Sequence, residues 1–124
     1  MLQMRFDLRA PSFGAPIADI YRGALEMSEW AERQGFSMVA LSEHHGSDDG
    51  YCPSPLVVAA AITARTTTLR VLVAALVLPL HDPVRLADDK HGWVPENITI
   101  STNTLNGSEV TGCDLPGVTC LNNL

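Results

Sequence analysis

The chain has 124 residues, is 46% hydrophobic and carries a formal net charge of −6. That is enough for one modest domain with a real core, and the wrong sign for a nucleic-acid-binding surface. No apolar run reaches the roughly 18 residues of a membrane span, and the opening MLQMRFDLRA lacks the uninterrupted apolar core of a signal peptide. A cytoplasmic chain is therefore expected, with small-molecule or protein partners, no nucleic acid and no membrane. Cys52, Cys113 and Cys120 form no Cys-x-x-Cys pair, so neither a disulfide framework nor a zinc ribbon is indicated, and Cys52 reads as a small buried or loop thiol.

In chain order, residues 4–8 (MRFDL) predict a short first strand, followed by the Pro/Gly connection APSFGAP. A helix begins near Pro16. Ile17, Ile20, Ala24, Met27 and Ala31 recur at three and four residues, while Asp19, Arg22, Glu26, Glu29 and Arg33 fall on other faces, and Gly35 ends the run. Residues 36–42 (FSMVALS) predict a second strand. Ser54 and Pro55 then supply a capping hydroxyl and a first-turn proline for the helix PLVVAAAITAR, whose alanines permit close packing on a sheet. Residues 69–78 (LRVLVAALVL) suit a central parallel strand buried on both faces, and Asp82 with Pro83 repeats the helix-start chemistry. The order β-α-β-α-β-α implies an α/β fold with right-handed crossovers and a parallel sheet, either open and doubly wound or closed into a barrel.

The vocabulary of the chain changes near Asp89. Residues 1–89 hold every arginine and every alanine but no asparagine, whereas the remainder holds all five asparagines. NITIST alternates apolar and polar residues and LNGSEV offers an Asn-Gly turn, which reads as a small β-rich module too short to build its own core. NIT and NGS fit the glycosylation pattern, which matters only in a secreted protein and is taken as chance. Two units are thus expected, residues 4–89 and a divergent tail at 90–124.

The stretch ALSEHHGSDDGYCPSPL, residues 40–56, places an acid and two adjacent histidines at the carboxyl end of the second strand. Ligands gather there in both parallel architectures. Three readings are open. Glu43, His44 and His45 could be ordinary loop residues bonded to nearby backbone. They could hold a metal, as in a small hydrolase, although adjacent residues of an extended segment point to opposite sides and no matching ligand pair is visible. Or one histidine faces a pocket for acid/base or hydrogen-bond chemistry while the other, with Glu43, braces the loop.

GFSMVALSEHH, GYCPSPLVVAAAITART and AALVLPLHDPVRLADD together closely resemble the amino-terminal third of the luciferase-like monooxygenases, over about residues 4–89. The resemblance does not reach the tail. It implies a partial (β/α)8 TIM-barrel-like unit, FMN or a deazaflavin as cofactor at the strand ends, and oxygen and a small organic molecule as substrates. His44 matches the family's active-site histidine and His45 its neighbour; an imidazole titrates near neutrality and can give or take a proton there. Ala74 and Ala75 match a pair that in relatives can be joined by a non-prolyl cis peptide beside the flavin ring, and their small side chains would let a planar ring approach the backbone. Two small residues packed inside a barrel strand is the competing reading.

Gly46 and Ala40 stand where many relatives carry an aromatic residue and a tryptophan, which leaves the substrate unread. KHGWVPENITIS replaces the family's continuation into a Gly-Arg motif and a fourth strand, and with it the later strands that close the barrel and bind the flavin phosphate. The expectation is a truncated flavin-dependent oxidoreductase, weakly active or inactive as this chain. The alternative is a non-enzymatic truncated or fused α/β scaffold with an interaction tail. Unpaired sheet edges would favour a marginal monomer or a homo-oligomer, unless the tail covers one edge as an added strand.

Overall fold

A computed structural model describes residues 2–82, residue 84 and the backbone of 98–102. Its elements are β1 (Gln3–Arg5), α1 (Ile17–Arg33), β2 (Met38–Leu41), α2 (Pro55–Thr63), β3 (Arg70–Leu76) and β4 (Ile98–Thr102), with a 3-10 turn at Leu78–Leu80. The strands form one sheet in the order β1-β2-β3-β4, and every neighbouring pair is parallel. This is the α/β arrangement with a parallel sheet that the sequence implies. The helix expected after Asp82 lies outside the described residues.

The register explains which side chains form the core. Val39 pairs with Val71 and Leu41 with Val73, so these four valine and leucine side chains share one sheet face. They join Phe6, Leu8, Ala24, Val58, Ala59 and Ile62 in a single buried cluster beneath the two helices. Leu72 and Ala74 alternate to the opposite face, where they are only half-buried. A register shift between Ala74 and Leu76 then changes the parity of β3. Leu76 thereby enters the core at 2% exposure, and Ala74 and Ala75 both stay half-buried. The Ala74–Ala75 peptide bond is cis.

α1 departs from its simple apolar stripe. Ala24, Ser28 and Ala31 are its buried residues, whereas Met27 and Ile17 are exposed. Ser28 can sit in the interface because its hydroxyl donates to the Ala24 carbonyl at 2.7 Å, leaving no unpaired polar group. The helix ends as expected at Gly35, whose φ of +81° favours glycine. The Phe36 N–H donates to the Ala31 carbonyl and the Gly35 N–H to the Glu32 carbonyl, the paired bonds of a Schellman ending. Phe36 packs on Trp30 with ring centroids 6.0 Å apart, the apolar contact that accompanies it. In α2, apolar residues run all around the helix and Pro55, Val58, Ala59 and Ile62 face inward. Ser54 occupies the position before it but makes no side-chain capping bond, contrary to the expected hydroxyl cap.

Within the tail, the described residues form the added edge strand that the sequence allows. Ile98–Thr102 is the fourth parallel strand of the main sheet, paired along β3 from Val71 to Leu76. The alternation of NITIST does mark a strand, and that strand covers the outer edge of β3.

Candidate active site

β2 and β3 lie side by side in parallel, so their carboxyl ends deliver two loops to the same place. Glu43 lies two residues beyond the end of β2, and its side chain has no exposed area. Its backbone N–H donates to the Ala75 carbonyl at 3.3 Å, and its Oε2 accepts from the Val77 N–H at 2.6 Å. One residue thus clasps the end of β3 through both its main chain and its carboxylate.

Two imidazoles complete the shell. His45 Nε2 lies 2.6 Å from Glu43 Oε1, and His81 Nε2 lies 3.0 Å from Oε1 and 3.1 Å from Oε2. Burial opposes the charge on Glu43, but the bonds from His45, the Val77 N–H and His81, with the charge of His81, outweigh it and hold the carboxyl below its ordinary value. The carboxylate is therefore ionised at neutral pH. The His45 side chain is 41% exposed and that of His81 23%, so both remain reachable from outside.

His44 has a separate environment. Its N–H donates to the Cys52 carbonyl at 3.4 Å, and its ring stacks on Tyr51 at 3.7 Å with the planes 9° apart. The Arg9 guanidinium covers the Tyr51 ring at 5.1 Å and bonds Asp49 at 2.6 Å. Asp49 also accepts from Ser47, and its carbonyl accepts from the Ala10 N–H at 2.8 Å. Gly50 holds this loop close to α1: its φ is +69°, and a Cβ there would collide with Ile17.

The structure thus gives His44 and His45 different partners and ties Ala75 to Glu43. The sequence pattern alone does not single out His81, Tyr51 or Arg9. His81 follows β3 as His45 follows β2, so the strand-end rule that singled out the first loop applies equally to it. Among the described residues no three His, Cys, Asp or Glu side chains are arranged to hold a metal ion. Cys52 is buried, and burial pushes its thiol up, so it is a poor nucleophile. An open hollow of about 450 Å³ beside Asp48 and Asp49 is not lined by the histidines. The candidate centre rests on the convergence of side chains at the strand ends and not on that hollow. No helix among the described residues is long and apolar enough to cross a membrane.

Comparison with known proteins identifies the family. Residues 4–90 match the luciferase-like monooxygenase family. Uncharacterized protein y4vJ of Sinorhizobium fredii is 38% identical over 69 residues, 56% of this chain and 20% of that protein. The alkanal monooxygenase alpha chain of Photorhabdus laumondii is 35% identical over 71 residues, 57% of this chain and 20% of that one. The chain therefore spans about one fifth of the length of these curated relatives. Among solved structures, the oxygenating constituent of 3,6-diketocamphane monooxygenase from Pseudomonas putida, in complex with FMN, superposes with a TM-score of 0.71 at 20% identity, covering 82% of this chain and 29% of that one. Apo-MsnO8 superposes with a TM-score of 0.71 at 23% identity, over 88% of this chain and 34% of that one. At these identities the structural matches speak to fold alone, and it is the sequence match over residues 4–90 that makes this chain a member of the luciferase-like monooxygenase family.

Proposed function

We propose that the chain carries the ring-facing part of a flavin-dependent monooxygenase site, taking reduced FMN or a deazaflavin, with oxygen and a small organic molecule as substrates. The observation that carries this reading is the meeting of Glu43, His45 and His81 with the Ala74–Ala75 segment where β2 and β3 end. The residues present fit the flat end of a flavin. Ala74 and Ala75 are half-buried and offer nothing larger than a methyl group, so an aromatic ring can lie close to the backbone. The flavin phosphate, by the family resemblance, belongs to later strands.

Bound reduced flavin supplies the electrons that activate oxygen. The chain's own residues then divide the remaining work. Ala74 and Ala75 seat the ring. His44, held flat against Tyr51, and His45, anchored on Glu43, orient the organic substrate and hold or move a proton at an imidazole nitrogen. The core under β2 and β3 keeps these groups on rigid strands.

Titration of the full chain with FMN, followed by flavin fluorescence, tests the reading. Saturable one-to-one binding is expected. Ala75→Leu should weaken it about tenfold or more, because overpacking a close approach typically costs about 1–3 kcal/mol. A second reading, a non-enzymatic truncated or fused α/β scaffold with an interaction tail, is favoured by the change of composition near Asp89. Absence of FMN binding by the folded chain would contradict the first reading and support the second.

A further inference from the structure

We propose that Glu43 is a positioning residue that holds both His45 and His81 in their Nε2-protonated form, making the two Nδ1 atoms the acceptors that this strand-end site offers to a ligand. The argument begins with donor and acceptor balance. An ionised carboxylate only accepts, so every close nitrogen around Glu43 must bring a proton. Three do so: the Val77 N–H on Oε2, His45 Nε2 on Oε1, and His81 Nε2 across both oxygens. The competing arrangement is a protonated Glu43 with bare Nε2 atoms. Its single O–H could serve one imidazole and would leave the other nitrogen facing an oxygen with no proton between them. Full burial of the side chain bars water from repairing that mismatch.

With Nε2 committed as a donor, a neutral imidazole has its lone pair on Nδ1. Neither Nδ1 has a hydrogen-bond partner among the described residues. The two rings come from different loops, one after β2 and one after the 3-10 turn that follows β3, yet a single carboxylate sets both orientations. While neutral, the pair accepts from a ligand group bearing N–H or O–H and offers nothing to a carboxylate or phosphate oxygen. Use of the pair beside a flavin rests on the function proposed above. The tautomer assignment does not, because it concerns the chain without flavin.

Long-range imidazole ¹⁵N–¹H correlation spectra of the ¹⁵N-labelled full chain, recorded above the histidine titration range at about pH 8.5, test the proposal. His45 and His81 should each show a protonated Nε2 and a bare Nδ1. In Glu43→Gln the carboxamide keeps one acceptor oxygen and presents an NH2 group, so at least one of the two rings should lose that pattern, while His44, which does not touch Glu43, keeps its signals. A protonated Nδ1 on His45 or His81 in the wild-type chain would overturn the proposal, and so would unchanged His45 and His81 patterns in a folded Glu43→Gln. Should that variant fail to fold, the wild-type spectrum decides alone. Loss of flavin binding without a change in these patterns would count against the functional reading and leave the tautomer assignment standing.

Discussion

The two ends of β3 are each held by a glutamate, and the contrast between them separates structure from chemistry. At the amino end, Glu32 of α1 accepts from the N–H groups of Thr67, Thr68 and Leu69 at 2.8, 2.5 and 2.9 Å and from the Thr68 hydroxyl at 3.0 Å. The bond from the Thr68 N–H leads in holding that carboxyl below its ordinary value; partial burial opposes it, and the remaining donors reinforce it. At the carboxyl end, Glu43 takes one backbone N–H and two imidazoles that are themselves partly exposed. Both residues use the same acceptor chemistry on the same strand. Glu32 spends all of it on a turn, whereas Glu43 links the strand to two imidazoles that reach the outside. In parallel α/β barrels the amino-end face serves stability and the carboxyl-end face serves catalysis, and the function proposed above would set the two glutamates on either side of that division.

The largest effect is expected at the buried end. Glu43→Ala leaves the Val77 N–H and both imidazole N–H groups without their acceptor and should cost about 2–3 kcal/mol in urea unfolding, together with FMN binding. Glu32→Ala releases the Thr67 and Thr68 N–H groups at an exposed turn, where water replaces the carboxylate, and the Leu69 N–H at a part-buried position; it should cost about 1 kcal/mol and leave FMN binding unchanged. Equal effects of the two substitutions on FMN binding would break the comparison.

Acid should sharpen it. Both carboxyls titrate below their ordinary value in the folded chain. The unfolded chain therefore binds more protons than the folded chain across the interval between folded and unfolded values, and stability rises with pH there. This contribution is fully present above the ordinary value of about 4.5 and is lost as pH falls through the folded value. Glu32→Gln should flatten part of the acid limb in a series of urea melts from about pH 7 to 3; an unchanged limb would mean that its hydrogen bonds do not favour the charged form. The smallest effect belongs to neither end of β3. Ser54 makes no capping bond, so Ser54→Ala should change stability by less than about 0.5 kcal/mol, compared with the roughly 1 kcal/mol of an ordinary N-cap.

Much of this architecture is legible in the residues because local chemistry and tertiary structure agree. Gly35 stops α1 where a positive φ is needed, and the apolar run around Val71 and Val73 gives a strand buried against the helices. Where they part, a nonlocal contact or a local irregularity is responsible. The uniform apolar character of residues 71–78 hides the register shift that leaves Ala74 and Ala75 half-buried and returns Leu76 to the core. Ser28 replaces Met27 at the buried face of α1 because its hydroxyl is satisfied within the helix. The pairing of Ile98–Thr102 with β3 could not be read from its alternation, which marks a strand without naming its neighbour. At the site, the EHH run identifies Glu43, His44 and His45, whereas the approach of His81 across 38 positions, and of Arg9 to Tyr51, exists only once the sheet brings the loops together.

The division of β3 into a structural end and a chemical end is tested most directly by backbone ¹H–¹⁵N spectra of the full chain during titration with FMN. Shifts are expected at Glu43, His44, His45, Ala75, Val77 and His81, with Glu32 and residues 67–69 unmoved. Shifts centred on Glu32 and residues 67–69, or none at the carboxyl ends of β2 and β3 at saturating FMN, would contradict the account.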